Sequence, residues 1–137
     1  MKNLISKNDS IFVAGHNGLA GSAICRALKK FGYKNILTVS REELDLREQS
    51  KVKNWFKGNS PDIVIIAAAK VGGILANSNY PYDFIIENIQ IQTNVIESAF
   101  QNSVKRLLFL SSSCAYPKKC SQPIREEYLL SDYLEKT

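Results

Sequence analysis

Residues 11–21 read IFVAGHNGLAG: four apolar residues, then glycines at 15, 18 and 21. A short apolar run that stops at glycine reads as a strand buried on both faces of a parallel sheet. Beyond it, Leu19, Ala23, Ala27, Leu28 and Phe31 recur at helical spacing, and Gly32 ends the pattern. Strand, glycine turn and helix in this order bring free N–H groups and the positive end of a helix dipole to one point, where an anion is held. One glycine permits the tight turn, one lets a pyrophosphate approach the backbone, and one lets helix and strand pack closely. The segment therefore predicts a Rossmann-type unit with a dinucleotide pyrophosphate over Gly15 to Leu19. The cofactor-binding residues expected in it are Gly15, Asn17, Gly18, Leu19 and Gly21. A P-loop is excluded, because no GK[ST] follows the turn.

The remaining pattern agrees. Residues 35–39 read as a second strand, 49–57 as a second helix broken by Gly58, Asn59, Ser60 and Pro61, and 63–69 as a strand buried on both faces. Residues 83–102 read as a long amphipathic helix with Ile85, Ile89, Ile96 and Phe100 on one side, and 106–110 as the next strand. This alternation predicts an α/β fold, a doubly wound parallel sheet with helices on both faces. After Pro117 the pattern weakens, with room for a short helix in 124–136. No repeat or linker interrupts the chain, so residues 1–137 are expected to form part of one domain.

Composition excludes several function classes. Hydrophobic residues make up 45% of the 137, enough for a core. No apolar run is long enough to span a bilayer, and the N-terminus lacks an apolar stretch of signal-peptide length. Cys25, Cys114 and Cys120 show no CxxC spacing and His16 is the single histidine. Neither a zinc site nor a disulfide framework is indicated, and a cytoplasmic setting is expected. The net charge of +5 comes from scattered residues, without the aromatic-basic stripe of a nucleic-acid interface. It suits an anionic small ligand.

The spacing GxxGxxG, together with AGHNGLAGSAI, ELDL at 43–46, AAAKVGGI at 67–74, NYPYDFI at 79–85 and LLFLSSSCAYPKK at 107–119, resembles the extended short-chain dehydrogenase/reductase superfamily. Within it, the chain is most similar to the GDP-L-fucose synthase family, the GDP-4-keto-6-deoxymannose epimerase/reductases. The similarity runs from Ile11 to Thr137, and related heptose-pathway enzymes share the architecture. It implies an NADP(H)-dependent oxidoreductase and isomerase acting on a GDP-sugar. It also implies that Asp45 and Leu46 lie beside the adenine, that Ala67, Ala68, Ala69 and Lys70 pass the nicotinamide ribose, and that Val71, Gly72 and Gly73 border the substrate. Ser112 matches the serine that hydrogen-bonds the sugar 4-keto oxygen. Cys114 matches the cysteine that moves protons at carbons 3 and 5, which are acidic because they lie alpha to the ketone. In the complete enzyme the 83–102 helix would pair two copies as a homodimer.

Cofactor choice is read from the second strand. NAD-binding units place an acid at its end, on the ribose 2′-hydroxyl. Here no acid comes before Glu42, and Arg41 is available for a 2′-phosphate, so NADPH is expected over NAD. Two departures from the family pattern weaken that preference: Asn17 and Val39 stand where members often carry arginine. A charge-assisted bond to a phosphate contributes about 1.5–3 kcal/mol.

The family's Tyr-x-x-x-Lys, whose tyrosine donates a proton to the carbonyl as hydride arrives, has no match within these residues. None of Tyr33, Tyr80, Tyr82, Tyr116, Tyr128 and Tyr133 has a lysine four places on. Strand 106–110 is expected to be an uncovered sheet edge, the family's sugar-binding domain is not matched, and the 137 residues alone are expected to be inactive. The alternatives are part of a heptose-type epimerase/reductase and a non-catalytic nucleotide-binding module.

Overall fold

A computed structural model describes residues 4–135. Four parallel strands, β1 (Ile11–Ala14), β2 (Ile36–Leu37), β3 (Ile63–Ile66) and β4 (Arg106–Phe109), lie in the order β2-β1-β3-β4. Between them run α1 (Leu19–Lys30), α2 (Gln49–Asn59), α3 (Ile74–Asn79) and α4 (Pro81–Gln101). The chain moves outward from β1 to β2, then returns to the far side of β1 for β3. The strand order reverses between β1 and β3, and in open α/β sheets ligands bind at the carboxyl ends of the strands beside such a reversal.

Alternation along the strands builds a core on each face. Register runs from Ile11 opposite Ile63 to Ala14 opposite Ile66. Ile11, Val13, Ile63 and Ile65 point to one face, where Ile24, Cys25 and Leu28 of α1 cover them. Phe12, Ala14, Val64 and Ile66 point to the other, against Val52 and Phe56 of α2 and Val95 and Ala99 of α4. Phe12 sits within an aromatic cluster, 4.2 Å from the Trp55 ring and 5.8 Å edge-on from Phe56. The two central strands are buried throughout, as a doubly wound sheet requires. All four residues of β4 are exposed at the sheet edge.

Several boundaries differ from the sequence reading. The second strand is only Ile36–Leu37, and the third ends at Ile66, so Ala67 to Ala69 leave the ladder. Helix α2 continues through Gly58 to Asn59. It stops because Ser60 turns left-handed (φ 41°) and its N–H donates to the Phe56 carbonyl. Helix α4 begins at Pro81, whose missing N–H costs nothing in a first turn. Leu19 of α1 and Phe31, its C-cap, are exposed, because the face toward the sheet is set by Ile24, Cys25 and Leu28. Burial pushes the Cys25 thiol up from its usual range.

The apolar side of α4 read from the sequence is also not its core side. Ile85, Ile89, Ile96 and Phe100 are exposed, and the buried residues are Asn94, Val95, Ser98 and Ala99. Small residues let α4 lie close to the sheet and α2, which turns the isoleucine row outward. Helix α3 was not expected. The 124–136 segment holds a 3₁₀ turn at Glu126–Tyr128, and Lys136 and Thr137 lie outside the described residues.

An ionic clasp closes the end of the sheet opposite the ligand edge. The Asp62 carboxylate accepts from Ser10 N–H and Ser10 Oγ, both at 2.9 Å, and meets Lys105 Nζ at 2.8 Å. Lys105 also meets Asp9 at 3.0 Å. The Lys105 contact, followed by the Ser10 bonds, holds the Asp62 carboxyl down at about 2. A carboxyl whose pKa is lower folded than unfolded stabilises fully above its unfolded value, near 3.9. That contribution is lost as pH falls through the folded value. Stability of the wild type is therefore expected to fall between about pH 4 and pH 2, and Asp62→Asn should flatten that slope. Urea unfolding at successive pH values checks this; parallel slopes would remove Asp62 from the clasp.

Candidate functional site

Two adjoining clefts open at the carboxyl edge of the sheet, and Ala67, Ala68, Ala69 and Lys70 line both. The first, of about 230 Å³, lies between the glycine turn, the loop after β2 and the start of α4. Gly15, His16, Asn17 and Gly18 form one wall of it. Gly15 has φ +84°, and a Cβ there would lie 2.7 Å from the backbone of Ala68, so β1 and β3 meet through a residue that must be glycine. Gly18 caps α1 in an extended conformation, and a Cβ on it would meet only Gly15 O, at 3.4 Å. Gly21 does not line the cleft: its missing Cβ makes room for Gly15 O. The three glycines thus divide into turn, open cradle and packing. Leu19 also lies outside the lining, with its side chain 93% exposed.

The opposite wall comes from residues 39–47. Val39 and Leu46 pack on the core and line the cleft, and Arg41 and Asp45 line it with them. Arg47, which the sequence reading passed over, lines it too. Its guanidinium grips Asp45 through Nε to Oδ1 at 3.0 Å and Nη2 to Oδ2 at 2.6 Å. That contact first, with the Arg47 backbone N–H adding to it, holds the Asp45 carboxyl down at about 2.

Glu87, the second missed residue, enters from α4. One of its oxygens meets Lys70 Nζ; the other meets Arg47 Nη1 at 3.0 Å and Arg41 Nη2 at 3.6 Å. The Lys70 contact, then the charges of Lys70, Arg47 and Arg41, hold its carboxyl below the usual range. Asn88 fixes the Lys70 backbone, accepting from its N–H at 2.7 Å and donating to its carbonyl at 3.0 Å. Both bonds hold the loop after β3 against α4. Asn94 likewise donates to the Leu46 carbonyl at 3.0 Å.

The second cleft collects the residues expected to face a substrate. Val71, Gly72, Ser111, Ser112 and Cys114 line it together with Phe84. Gly73 does not; it is the N-cap of α3. Ser112 caps the 3₁₀ turn Ser113–Ala115, its Oγ accepting from Cys114 N–H at 3.1 Å. The turn presents Cys114 exposed at the cleft, while Cys25 and Cys120 lie elsewhere. Among the described residues there is no group of His, Cys, Asp and Glu that could hold a metal, and no helix is long and apolar enough to cross a membrane.

A signal for Glu87 was absent from the sequence, since the residue lies 40 or more positions from Arg41 and Arg47. Arg47 had a weak one, two residues after Asp45.

Known proteins resemble this chain in sequence and backbone. GDP-L-fucose synthase 1 of Arabidopsis thaliana is 53% identical over 137 residues, 100% of this chain and 42% of its own length. GDP-L-fucose synthase of Escherichia coli K12 is 48% identical, over 93% of this chain and 40% of its own length. The chain therefore spans about two fifths of the relatives it matches. Among solved structures, MlghC, a GDP-mannoheptose C4 reductase from Campylobacter jejuni with NADP bound, superposes with a TM-score of 0.89. It is 41% identical, covering 96% of this chain and 41% of that one. The sequence pattern of the NAD dependent epimerase/dehydratase family matches residues 11–137, and the chain belongs to that family.

Proposed function

We propose that this chain is the NADP(H)-binding part of a nucleotide-sugar 3,5-epimerase/4-reductase of the GDP-L-fucose synthase type, working on GDP-4-keto-6-deoxy-D-mannose. One observation carries the reading. The ridge Ala67 to Lys70 belongs to both clefts, so a dinucleotide lying on the glycine turn would reach the chamber of Ser112 and Cys114. The cradle fits such a cofactor, because the space at Gly18 is open where a pyrophosphate would approach the backbone.

NADPH, when bound, supplies the hydride that reduces the sugar ketone. The chain's own residues divide the rest. Gly15, Asn17, Gly18, Leu19 and Gly21 seat or shape the pyrophosphate turn. Arg41 faces the 2′-phosphate, Asp45 and Leu46 border the adenine, and Ala67 to Lys70 border the nicotinamide ribose. Val71, Gly72 and Gly73 shape the substrate side. The Ser112 hydroxyl already accepts one bond and keeps its proton free to donate to the 4-keto oxygen. The Cys114 sulfur, as thiolate, takes a proton alpha to that ketone, and an acid on the opposite face of the sugar returns one, which inverts the carbon.

The outward row Ile85, Ile89, Ile96 and Phe100 supports pairing of α4 between two copies in the whole protein. A second reading, reduction of a GDP-heptose ketone, is favoured by the likeness to the C. jejuni reductase.

The test is direct. The 137-residue chain should bind NADPH more tightly than NADH in calorimetry, with Arg41→Asp reversing the order. It should not oxidise NADPH with GDP-4-keto-6-deoxymannose, because none of its tyrosines carries the lysine partner. Tighter NADH binding by the wild type would overturn the cofactor assignment. Turnover would place the proton donor inside these residues, with Tyr116, beside the Ser113–Ala115 turn, examined first.

A further inference from the structure

We infer that Glu87 is a specificity-determining residue of the cofactor cleft, a built-in competitor of the 2′-phosphate for Arg41 and Arg47. The inference rests on the cofactor reading above. It starts from the charge arrangement at the cleft wall. Arg41, Arg47 and Lys70 converge on the one carboxylate of Glu87, which is only 17% exposed. Asp45 takes a second share of Arg47. Three cations against two carboxylates leave a single net positive charge at a cleft that would receive a phosphate dianion.

The three contacts are not equal. Arg47 is clamped between Asp45 and Glu87, whereas Arg41 is 67% exposed and reaches Glu87 only at 3.6 Å. Arg41 is therefore the cation freest to turn toward an incoming phosphate. An arginine after the second strand is where a Rossmann unit accommodates a 2′-phosphate. A phosphate held there would stand within a few ångströms of the Glu87 carboxylate, and like charges at that distance repel strongly in a partly buried cleft. NADH carries a hydroxyl at the same position and meets no such penalty. Glu87 thus orders the arginines and Lys70 in the free protein while narrowing the margin between the two cofactors. Its effect adds to that of Asn17 and Val39, which stand where arginines would strengthen the phosphate site.

Glu87→Gln tests this, because it removes the charge and keeps the length and a carbonyl oxygen for Lys70. By calorimetry at low salt, NADPH affinity should rise about tenfold, the effect of roughly 1.4 kcal/mol of relieved repulsion. NADH affinity should change much less. Added salt should shrink the gap, since screening weakens repulsion. Equal changes for both cofactors, or a fall in the NADPH preference, would make Glu87 a packing residue and overturn the inference. If the glutamine variant does not fold, Glu87→Asp, which withdraws the charge from the arginines, must move the preference the same way by a smaller factor. No shift there overturns it equally. A wild type that binds neither dinucleotide removes the cofactor reading and this inference with it; a wild type that binds both with an unshifted variant removes the inference alone.

Discussion

Gly21→Val is expected to unfold this domain rather than merely weaken it. A Cβ at position 21 would lie 2.1 Å from the Gly15 carbonyl oxygen, 2.7 Å from its carbon and 2.9 Å from His16 Cα. All three are backbone atoms, so no side chain can swing aside. Gly15 cannot retreat either, because its other side lies against the backbone of Ala67 and Ala68. Helix α1, strand β1 and the end of β3 are thus stacked at the closest approach their backbones permit. Even Gly21→Ala should cost about 3 kcal/mol or more, the upper range for overpacking. That is a large share of the roughly 5–15 kcal/mol that holds a domain together. Urea unfolding followed by circular dichroism measures it. Gly58, in α2 with nothing near its missing Cβ, is the control, and its alanine variant should be neutral or stabilising. A Gly21→Ala midpoint equal to the control's would mean that α1 does not press on the turn.

Three residues earlier the same type of change should do the opposite: leave the fold and remove the ligand. Gly18 has φ −75° and ψ 171°, an extended conformation that valine adopts readily. A Cβ there meets only one atom, at 3.4 Å. The branched side chain would then occupy the cleft where a pyrophosphate would lie against the backbone of the turn. Losing two charge-assisted bonds of about 1.5–3 kcal/mol each predicts at least a hundredfold drop in NADPH affinity for Gly18→Val. The melting temperature should stay close to wild type. Calorimetry and a thermal melt on one preparation separate the outcomes: retained affinity in a folded variant would move the dinucleotide off the turn.

These opposite expectations for Gly18 and Gly21 show where sequence reasoning reached and where it stopped. The GxxGxxG spacing between an apolar run and a helical pattern named three roles, and the backbone contacts assigned each role to a glycine. Local physics sufficed for that much, because turn conformation and hydrophobic periodicity act over a few residues. The parallel sheet was legible for the same reason, whereas Ser112 and Cys114 were found through the resemblance to the epimerase/reductase family.

Helix faces were less legible. Ile85, Ile89, Ile96 and Phe100 make a persuasive apolar stripe on α4, yet the sheet takes the side bearing Val95, Ser98 and Ala99. Periodicity reports that a face is apolar, not which neighbour will cover it, and close packing favours small residues where a helix crosses a sheet. The charge arrangement was not legible at all. Lys70, Glu87 and the pair Arg41 and Arg47 stand on three different segments, and only the reversal of strand order between β1 and β3 gathers those segments at one edge. By itself the sequence determined the strand–turn–helix seat and the kind of ligand it suits, through local backbone preference and burial. Only the tertiary structure decided which charges face that ligand, because electrostatic partners are set by distance in space, and distance along the chain carries almost no information about it.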